Sequence, residues 1–171
     1  MSKTRKLVII AIFVSQAMAL HIIESSIPNP LIAISPGAKL GLSNIITLTS
    51  LKIFGFKESL LILVLRIALS TLWGSMSSFL FSLVGGVLSL VAMATLLKLL
   101  KERLSIIGVS IVGAIFHNIG QLLVASIVIQ NINIFIYLPV LLLSSIPTGL
   151  FIGIVCKFLV KTYKYSMKMF S

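Results

Sequence analysis

An arginine inside an apolar stretch is the residue whose type and position point most directly to chemistry. Arg66 follows Glu58 by eight residues, in a run of leucine, isoleucine and valine. In a helix, eight residues place it about 12 Å inside that run. A charge at such depth in a membrane is costly and usually faces a cavity or a partner. Arg66 is therefore a candidate to bind a substrate anion or to gate a site. The alternatives are a structural ion pair with a glutamate and snorkelling to the nearer surface.

A second polar group interrupts a later apolar stretch, in the sequence FHNIGQ at residues 116–121. His117 and Gln121 are four residues apart and share one face of a helix, with Asn118 beside them. Hydrogen bonding between helices is the alternative explanation, since buried amides often link membrane helices. Three such side chains within five residues favour a patch that faces a ligand.

The segment that separates the first two apolar stretches holds three of the five prolines. Irregular backbone at membrane depth is tolerated only where protein buries it or where it lines a cavity. We therefore interpret residues 27–38, with Asn29, as a lid over an outward-facing pocket. Glu24 precedes this segment, and Lys39 and Asn44 follow it, so all three are further candidate ligand contacts. An interfacial anchor made by Glu24 and Lys39 is the alternative.

The composition indicates an integral membrane protein. Of the 171 residues, 58% are hydrophobic and 10% are charged, whereas a soluble domain is roughly a quarter charged. One cysteine cannot form an internal disulfide, and two distant histidines do not have the spacing of metal ligands. The net charge of +11 comes from basic residues at the ends of apolar runs, which is typical of membrane topology and not of nucleic-acid binding.

Six apolar segments predict an all-α bundle of six transmembrane helices in one domain, residues 1–171. The expected helices cover residues 7–23, 40–56, 58–73, 78–97, 105–129 and 134–160. The second is short and rich in Ser, Thr and Asn, so we expect it to pack against protein. Of the 14 basic residues, all except Lys39 and Arg66 then lie on one side. By the positive-inside rule, both termini are cytoplasmic in a prokaryotic cell membrane.

Small residues form a stripe on the first helix, at Ala11, Ser15 and Ala19. This spacing lets another helix approach closely. The stripe is either a face that docks a partner or an ordinary contact within the bundle. Gly149 and Gly153 repeat the spacing in the last helix, where we interpret it as an intramolecular contact.

Several of these features resemble a known group. The predicted chain resembles the substrate-binding S components of energy-coupling-factor transporters. The shared features are six short helices, two cytoplasmic termini and the stripe of Ala11, Ser15 and Ala19. The sequence SPGAKLGLSNIITL, residues 35–48, together with FHNIGQ, is similar to the Gx transporter family. That family also carries the label heptaprenyl diphosphate synthase component I, and the resemblance covers nearly the whole chain.

The resemblance implies an importer subunit for a small organic molecule, such as an isoprenoid, a quinone precursor or a vitamin-like anion. It implies a transmembrane coupling subunit and ATPase subunits as partners, beside the lipid bilayer, with the stripe on the first helix as the docking face. No nucleotide-binding motif, cofactor site or metal site is expected.

The heptaprenyl diphosphate label can be weighed against the residues. Prenyl elongation of the familiar kind holds magnesium with clustered aspartates, because a hard cation needs several oxygen ligands. The sequence has no aspartate, so we expect no catalytic residues and no enzyme. A non-catalytic membrane component of isoprenoid synthesis and a stand-alone secondary carrier are the alternative functions.

Overall fold

The chain is helical almost throughout in the computed structural model, which describes residues 3–27, 40–72, 76–100 and 103–169. The helices are α1 (Lys3–Ser26), α2 (Asn44–Phe54), α3 (Phe56–Ser70), α4 (Met76–Leu100), α5 (Ile106–Ile129) and α6 (Leu138–Met169), with a 3-10 helix at Ile132–Tyr137 before α6. No strand occurs in these ranges. The predicted all-helical class is confirmed there, whereas nearly all of the predicted lid lies outside the described residues.

Four helical stretches are long and apolar enough to cross a membrane. They are Lys3–Ser26, Ser78–Leu100, Ile106–Ile129 and Ile132–Tyr163. The other two helices, α2 and α3, have 11 and 15 residues, and a crossing usually takes about 20. Length and composition therefore support four crossings within the described chain.

The short helix α2 lies at the centre of the bundle. Every residue from Asn44 to Leu51 is buried, and α2 contacts each of the other five helices. Its hydroxyls are satisfied within the helix: Thr49 Oγ1 donates to the Ile45 carbonyl at 2.7 Å, and Ser50 Oγ donates to the Thr47 carbonyl at 2.9 Å. The prediction that this segment packs against protein is confirmed.

Two contacts fix the directions of the first three helices. Lys6 Nζ, near the start of α1, lies 2.5 Å from Glu58 Oε1, near the start of α3. Glu24, in the last turn of α1, accepts a hydrogen bond from the amide of Gly41, just before α2. Helices α1 and α3 therefore run in the same direction, and α2 runs in the opposite direction. The chain therefore returns, between Gly41 and Glu58, from the end of α1 to the region of its start.

A single residue, Gly55, joins α2 to α3. Its φ of 88° lies in the left-handed region that favours glycine. Its amide donates to the Leu51 carbonyl at 3.2 Å, which ends α2. The two helices therefore form a hairpin with a very short connection.

Glycines bring α4, α5 and α6 into backbone contact. A Cβ on Gly120 would lie 2.7 Å from the Cα of Gly85 in α4, and a Cβ on Gly149 would lie 2.5 Å from the Cα of Ile111 in α5. Gly153 faces α5 in the same way. The interpretation of Gly149 and Gly153 as an intramolecular contact is confirmed.

Candidate functional site

Helix α3 presents Arg66 to the interior of the bundle. The buried residues of α3 recur at helical spacing and are Ser59, Ile62, Leu63, Arg66, Ile67 and Ser70. The opposite face exposes Leu61, Val64, Leu65 and Leu69. Arg66 is only 2% exposed, so its charge lies inside the protein and does not face the apolar surface.

The guanidinium of Arg66 is held by a residue at the start of α2. Its Nη1 donates to Ser43 Oγ at 2.7 Å. Ser43 is the N-cap of α2, but its side chain caps no amide of that helix, so the hydroxyl is available to the arginine. Among the described residues, the buried Nε of Arg66 has no hydrogen-bond partner. Since buried donors are nearly always paired, this N–H is a candidate to bind an oxygen of a ligand.

Glu24 is buried and bound by backbone amides. Its Oε1 accepts from Gly41 N at 2.5 Å and its Oε2 accepts from Leu42 N at 3.0 Å. Gly41 has a φ of 81°, which favours glycine, in the turn that presents these amides. Burial disfavours the charge of Arg66, and the Glu24 carboxylate offsets part of this effect through its own charge. The backbone amides that precede α2 therefore bind a carboxylate that belongs to the protein, that of Glu24.

His117 and Gln121 join this cluster from α5. They are 4% and 1% exposed, and Gln121 Nε2 lies 3.1 Å from His117 Nε2. The imidazole is packed between two glycines: a Cβ on Gly41 would lie 3.3 Å from Nε2, and a Cβ on Gly85 would lie 3.0 Å from Nδ1. The turn before α2 and helix α4 therefore both pack against this side chain of α5.

Asn44 is buried close to Gly41 and His117. It is 3% exposed, and its Nδ2 lies 2.9 Å from the position of a Cβ on Gly41, on the side of Gly41 that faces His117. Within the described part of the chain, neither Nδ2 nor Oδ1 has a hydrogen-bond partner. An unpaired buried amide destabilises a protein by about 1–3 kcal/mol. Asn44 therefore offers the two N–H groups of Nδ2 and the acceptor oxygen Oδ1 to a ligand.

Asn118 lies in a different environment. Its Nδ2 donates to the Leu141 carbonyl at 3.0 Å and to Ser145 Oγ at 2.9 Å. Since successive helical residues are 100° apart, Asn118 faces α6 while His117 faces the cluster. Its contacts are those of a residue that links two helices.

Five of the residues that the sequence predicts as ligand contacts therefore come together in one polar cluster: Glu24, Asn44, Arg66, His117 and Gln121. Asn118 lies outside this cluster, and Asn29 and Lys39 lie outside the described residues. Sequence reasoning missed Ser43 and Gly85. Two signals were available in the sequence. Ser43 stands next to Asn44 at the start of a helix, and Gly85 belongs to a pair of glycines within an apolar helix.

The small-residue stripe lies on the exposed face of α1. Ala11, Ser15 and Ala19 are all exposed, whereas Phe13 and Ala17 face the core. The Ser15 hydroxyl donates to the Ala11 carbonyl at 3.0 Å, so it is satisfied within its own helix. Docking of a partner on the stripe stays a prediction.

Most of the chain matches a family of known proteins. A model of the family described as heptaprenyl diphosphate synthase component I matches residues 13–159, which include the whole polar cluster. No curated protein and no solved structure matches the chain.

Among the residues that the structure describes, no group of three or more His, Cys, Asp or Glu side chains could hold a metal ion.

Proposed function

We propose that this chain, which belongs to the heptaprenyl diphosphate synthase component I family, is the substrate-binding membrane subunit of an importer for a small organic molecule. The observation that carries the proposal is the hydrogen-bonding capacity of Asn44 and Arg66 that no described residue meets, inside an apolar bundle. Polar groups buried in that state are expected where a ligand completes them. The subunit would resemble the S components of energy-coupling-factor transporters.

The proposed topology has six crossings, with both termini in the cytoplasm and the polar cluster nearer the outer side. The contacts at the two ends of α1 support a return of the chain, through the short α2 and its flanking residues, from the outer to the inner end of the bundle. The Lys6–Glu58 pair lies at the proposed inner end, and the Glu24–Gly41 contact lies at the outer end. The concentration of lysine and arginine beyond the proposed inner ends supports this orientation.

The proposed ligand carries carbonyl or carboxylate oxygens and an apolar part. Arg66 would donate its Nε–H to one such oxygen, and Asn44 would use its amide as both donor and acceptor. Because Glu24 already accepts two backbone amides, it is a positioning residue that stabilises the turn and Arg66. We propose that His117 and Gln121 wall the site, and that Asn29 and Lys39 approach it from the segment 27–39.

Import by such a subunit needs partners. We propose that a transmembrane coupling subunit docks on the exposed Ala11, Ser15 and Ala19 stripe and that ATPase subunits power transport. The sequence contains no aspartate, which supports a role in binding and not in magnesium-dependent diphosphate chemistry.

A second candidate function follows from the description of the family. The chain would then be a non-catalytic membrane component of heptaprenyl diphosphate synthesis, and its partner would be another synthase component. The two proposals differ in what should co-purify: ATPase and coupling subunits for the importer, and a soluble prenyltransferase for the synthase component.

Native mass spectrometry of the protein purified from its own membrane tests both proposals. We expect a small molecule to remain bound to the wild-type protein and to be lost from Arg66→Ala. Arg103→Ala, which removes an exposed charge outside the cluster, is the matched control and should retain the molecule. Undiminished binding in a folded Arg66→Ala variant would overturn the assignment of the site.

A further inference from the structure

We propose that the open groove between the starts of α1 and α3 binds the phosphate headgroup of an anionic phospholipid. This site lies at the opposite end of α1 from the Glu24–Gly41 contact and does not depend on the proposed importer function. The groove has a volume of about 390 Å³, within the range of about 300–1,000 Å³ that is usual for small-molecule sites. Lys3, Lys6, Lys57 and Glu58 contribute its charged groups.

The groove carries an excess of positive charge. Three lysines and one glutamate line it, which gives a net charge of +2. Glu58 is engaged by Lys6 at 2.5 Å. Lys3 and Lys57 are exposed, and neither forms an ion pair within 4 Å among the described residues, while Lys57 acts on Glu58 through its charge at a longer distance. Two ammonium groups are therefore available to a phosphate.

The backbone adds to this positive potential. Helices α1 and α3 both begin at this end of the bundle, as the contact between Lys6 and Glu58 shows. The first turn of a helix carries a partial positive charge that favours an anion. No acidic residue lies in the first turn of α1, whereas Glu58 lies in the first turn of α3, where its charge is paired with that of Lys6. The positive end of the α1 dipole and the exposed lysines thus act on the same groove.

The apolar part of the groove identifies the ligand as a lipid. Leu7 and Leu61 line it next to the lysines and are 65% and 44% exposed. They begin the apolar faces of helices α1 and α3, where an acyl chain would lie if its phosphate contacted Lys3 and Lys57. A soluble anion would leave these leucine side chains uncovered. An anionic phospholipid matches the charged and apolar parts together, as expected for basic residues at a membrane interface.

Native mass spectrometry of the full-length protein in detergent, titrated with phosphatidylglycerol or with phosphatidylcholine, tests this proposal. We expect preferential binding of phosphatidylglycerol. The double variant Lys3→Gln/Lys57→Gln should weaken that binding roughly 25-fold, from about fivefold for each lysine near a membrane surface. Glu58→Gln should strengthen it, because Lys6 is released and the groove gains a positive charge.

The double variant Lys157→Gln/Lys161→Gln is the matched control. It removes the same charge from exposed positions on α6, outside the groove, and should bind phosphatidylglycerol like the wild type. Equal weakening in both double variants, or equal binding of the two lipids, would overturn the proposal. Displacement of phosphatidylglycerol by an equal concentration of glycerol phosphate would also overturn it, because the leucines would then contribute nothing.

Discussion

The carboxylate of Glu24, in the last turn of α1, accepts a hydrogen bond from the amide of Gly41, which lies 17 residues further along the chain, at 2.5 Å. The chain therefore leaves α1 and approaches α2 at the same place. The same carboxylate also binds the amide of Leu42. One side chain thus joins the two ends of the segment that we propose to cover the ligand.

Replacement of Glu24 by glutamine should destabilise the protein. The variant keeps one acceptor oxygen but places an amide NH2 group against a backbone N–H, and it removes the negative charge that stabilises Arg66. Loss of a charged hydrogen bond in a buried site lowers the free energy of unfolding by about 1.5–3 kcal/mol. Thermal unfolding in detergent measures the effect.

Glu58→Gln is the control for that variant, since it removes the same charge from a contact with Lys6 whose side chain is 46% exposed. Exposed ion pairs contribute little to stability, so its unfolding temperature should stay close to that of the wild type. Equal unfolding temperatures for the two variants would mean that the amide contacts of Glu24 are no stronger than a surface pair.

The substitution Asn44→Leu should increase the stability of the ligand-free protein while it weakens ligand binding. Leucine has a similar size and removes a donor and an acceptor that no described residue satisfies. We expect stabilisation of about 1 kcal/mol and a loss of affinity of about tenfold, the equivalent of one hydrogen bond. Thermal unfolding and retention of the co-purified small molecule measure the two effects.

Asn118→Leu should have the opposite pattern. It removes hydrogen bonds to the Leu141 carbonyl and to Ser145, so stability should fall by about 1–3 kcal/mol. Ligand affinity should stay unchanged, because Asn118 faces α6. If Asn44→Leu destabilised the protein as much as Asn118→Leu does, the amide of Asn44 would have a structural role and not a binding role.

Gly120→Ala should disturb the crossing of α4 and α5. The new methyl group would lie 2.7 Å from the Cα of Gly85, and backbone cannot move aside as a side chain does. Forced overpacking of this kind destabilises a protein by about 1–3 kcal/mol. Because Gly85 also packs on His117, ligand binding should weaken together with the unfolding temperature.

Gly108→Ala, on the same helix, is the matched control. The three heavy atoms nearest to its methyl group would all belong to the side chain of Leu104, the first at 3.1 Å, and a side chain can shift where backbone cannot. Since alanine favours a helix by about 1 kcal/mol over glycine, stability should be maintained or increased. A similar loss in both variants would show that helix α5 is sensitive to any added methyl group.

Ala11→Trp should prevent assembly with the proposed coupling subunit without affecting the fold. Ala11 is exposed, so the larger side chain meets no neighbour within the bundle, but it would block a close helix contact. Leu65→Trp, on the exposed face of α3, adds a similar side chain away from the stripe. Affinity purification of the complex should fail for the first variant only. Intact assembly of Ala11→Trp would exclude this face as the docking surface.

The sequence predicted the members of the polar cluster better than their contacts. A charge in an apolar run identified Arg66, and four-residue spacing identified His117 and Gln121, because helical geometry is local. The same geometry could have separated Asn118 from His117, since adjacent residues point 100° apart. The predicted burial of α2 followed from its hydroxyl-rich sequence and was correct.

The contacts that could not be predicted depend on long sequence separations. Glu24 binds amides 17 and 18 residues away, and Arg66 binds Ser43 at a separation of 23 residues. Periodicity within one helix carries no information on which turn of another helix it meets. The placement of α2 at the centre likewise depends on the packing of all six helices.

The one-residue connection at Gly55 has a consequence for how relatives of this chain can differ. Each residue added to a helix turns the following side chains by 100° and shifts them by 1.5 Å. Because α3 must present Arg66 to Ser43, its register against α2 leaves no room for such a change. Insertions and deletions in the family should therefore be rare between Asn44 and Arg66, so that the length of this stretch stays constant.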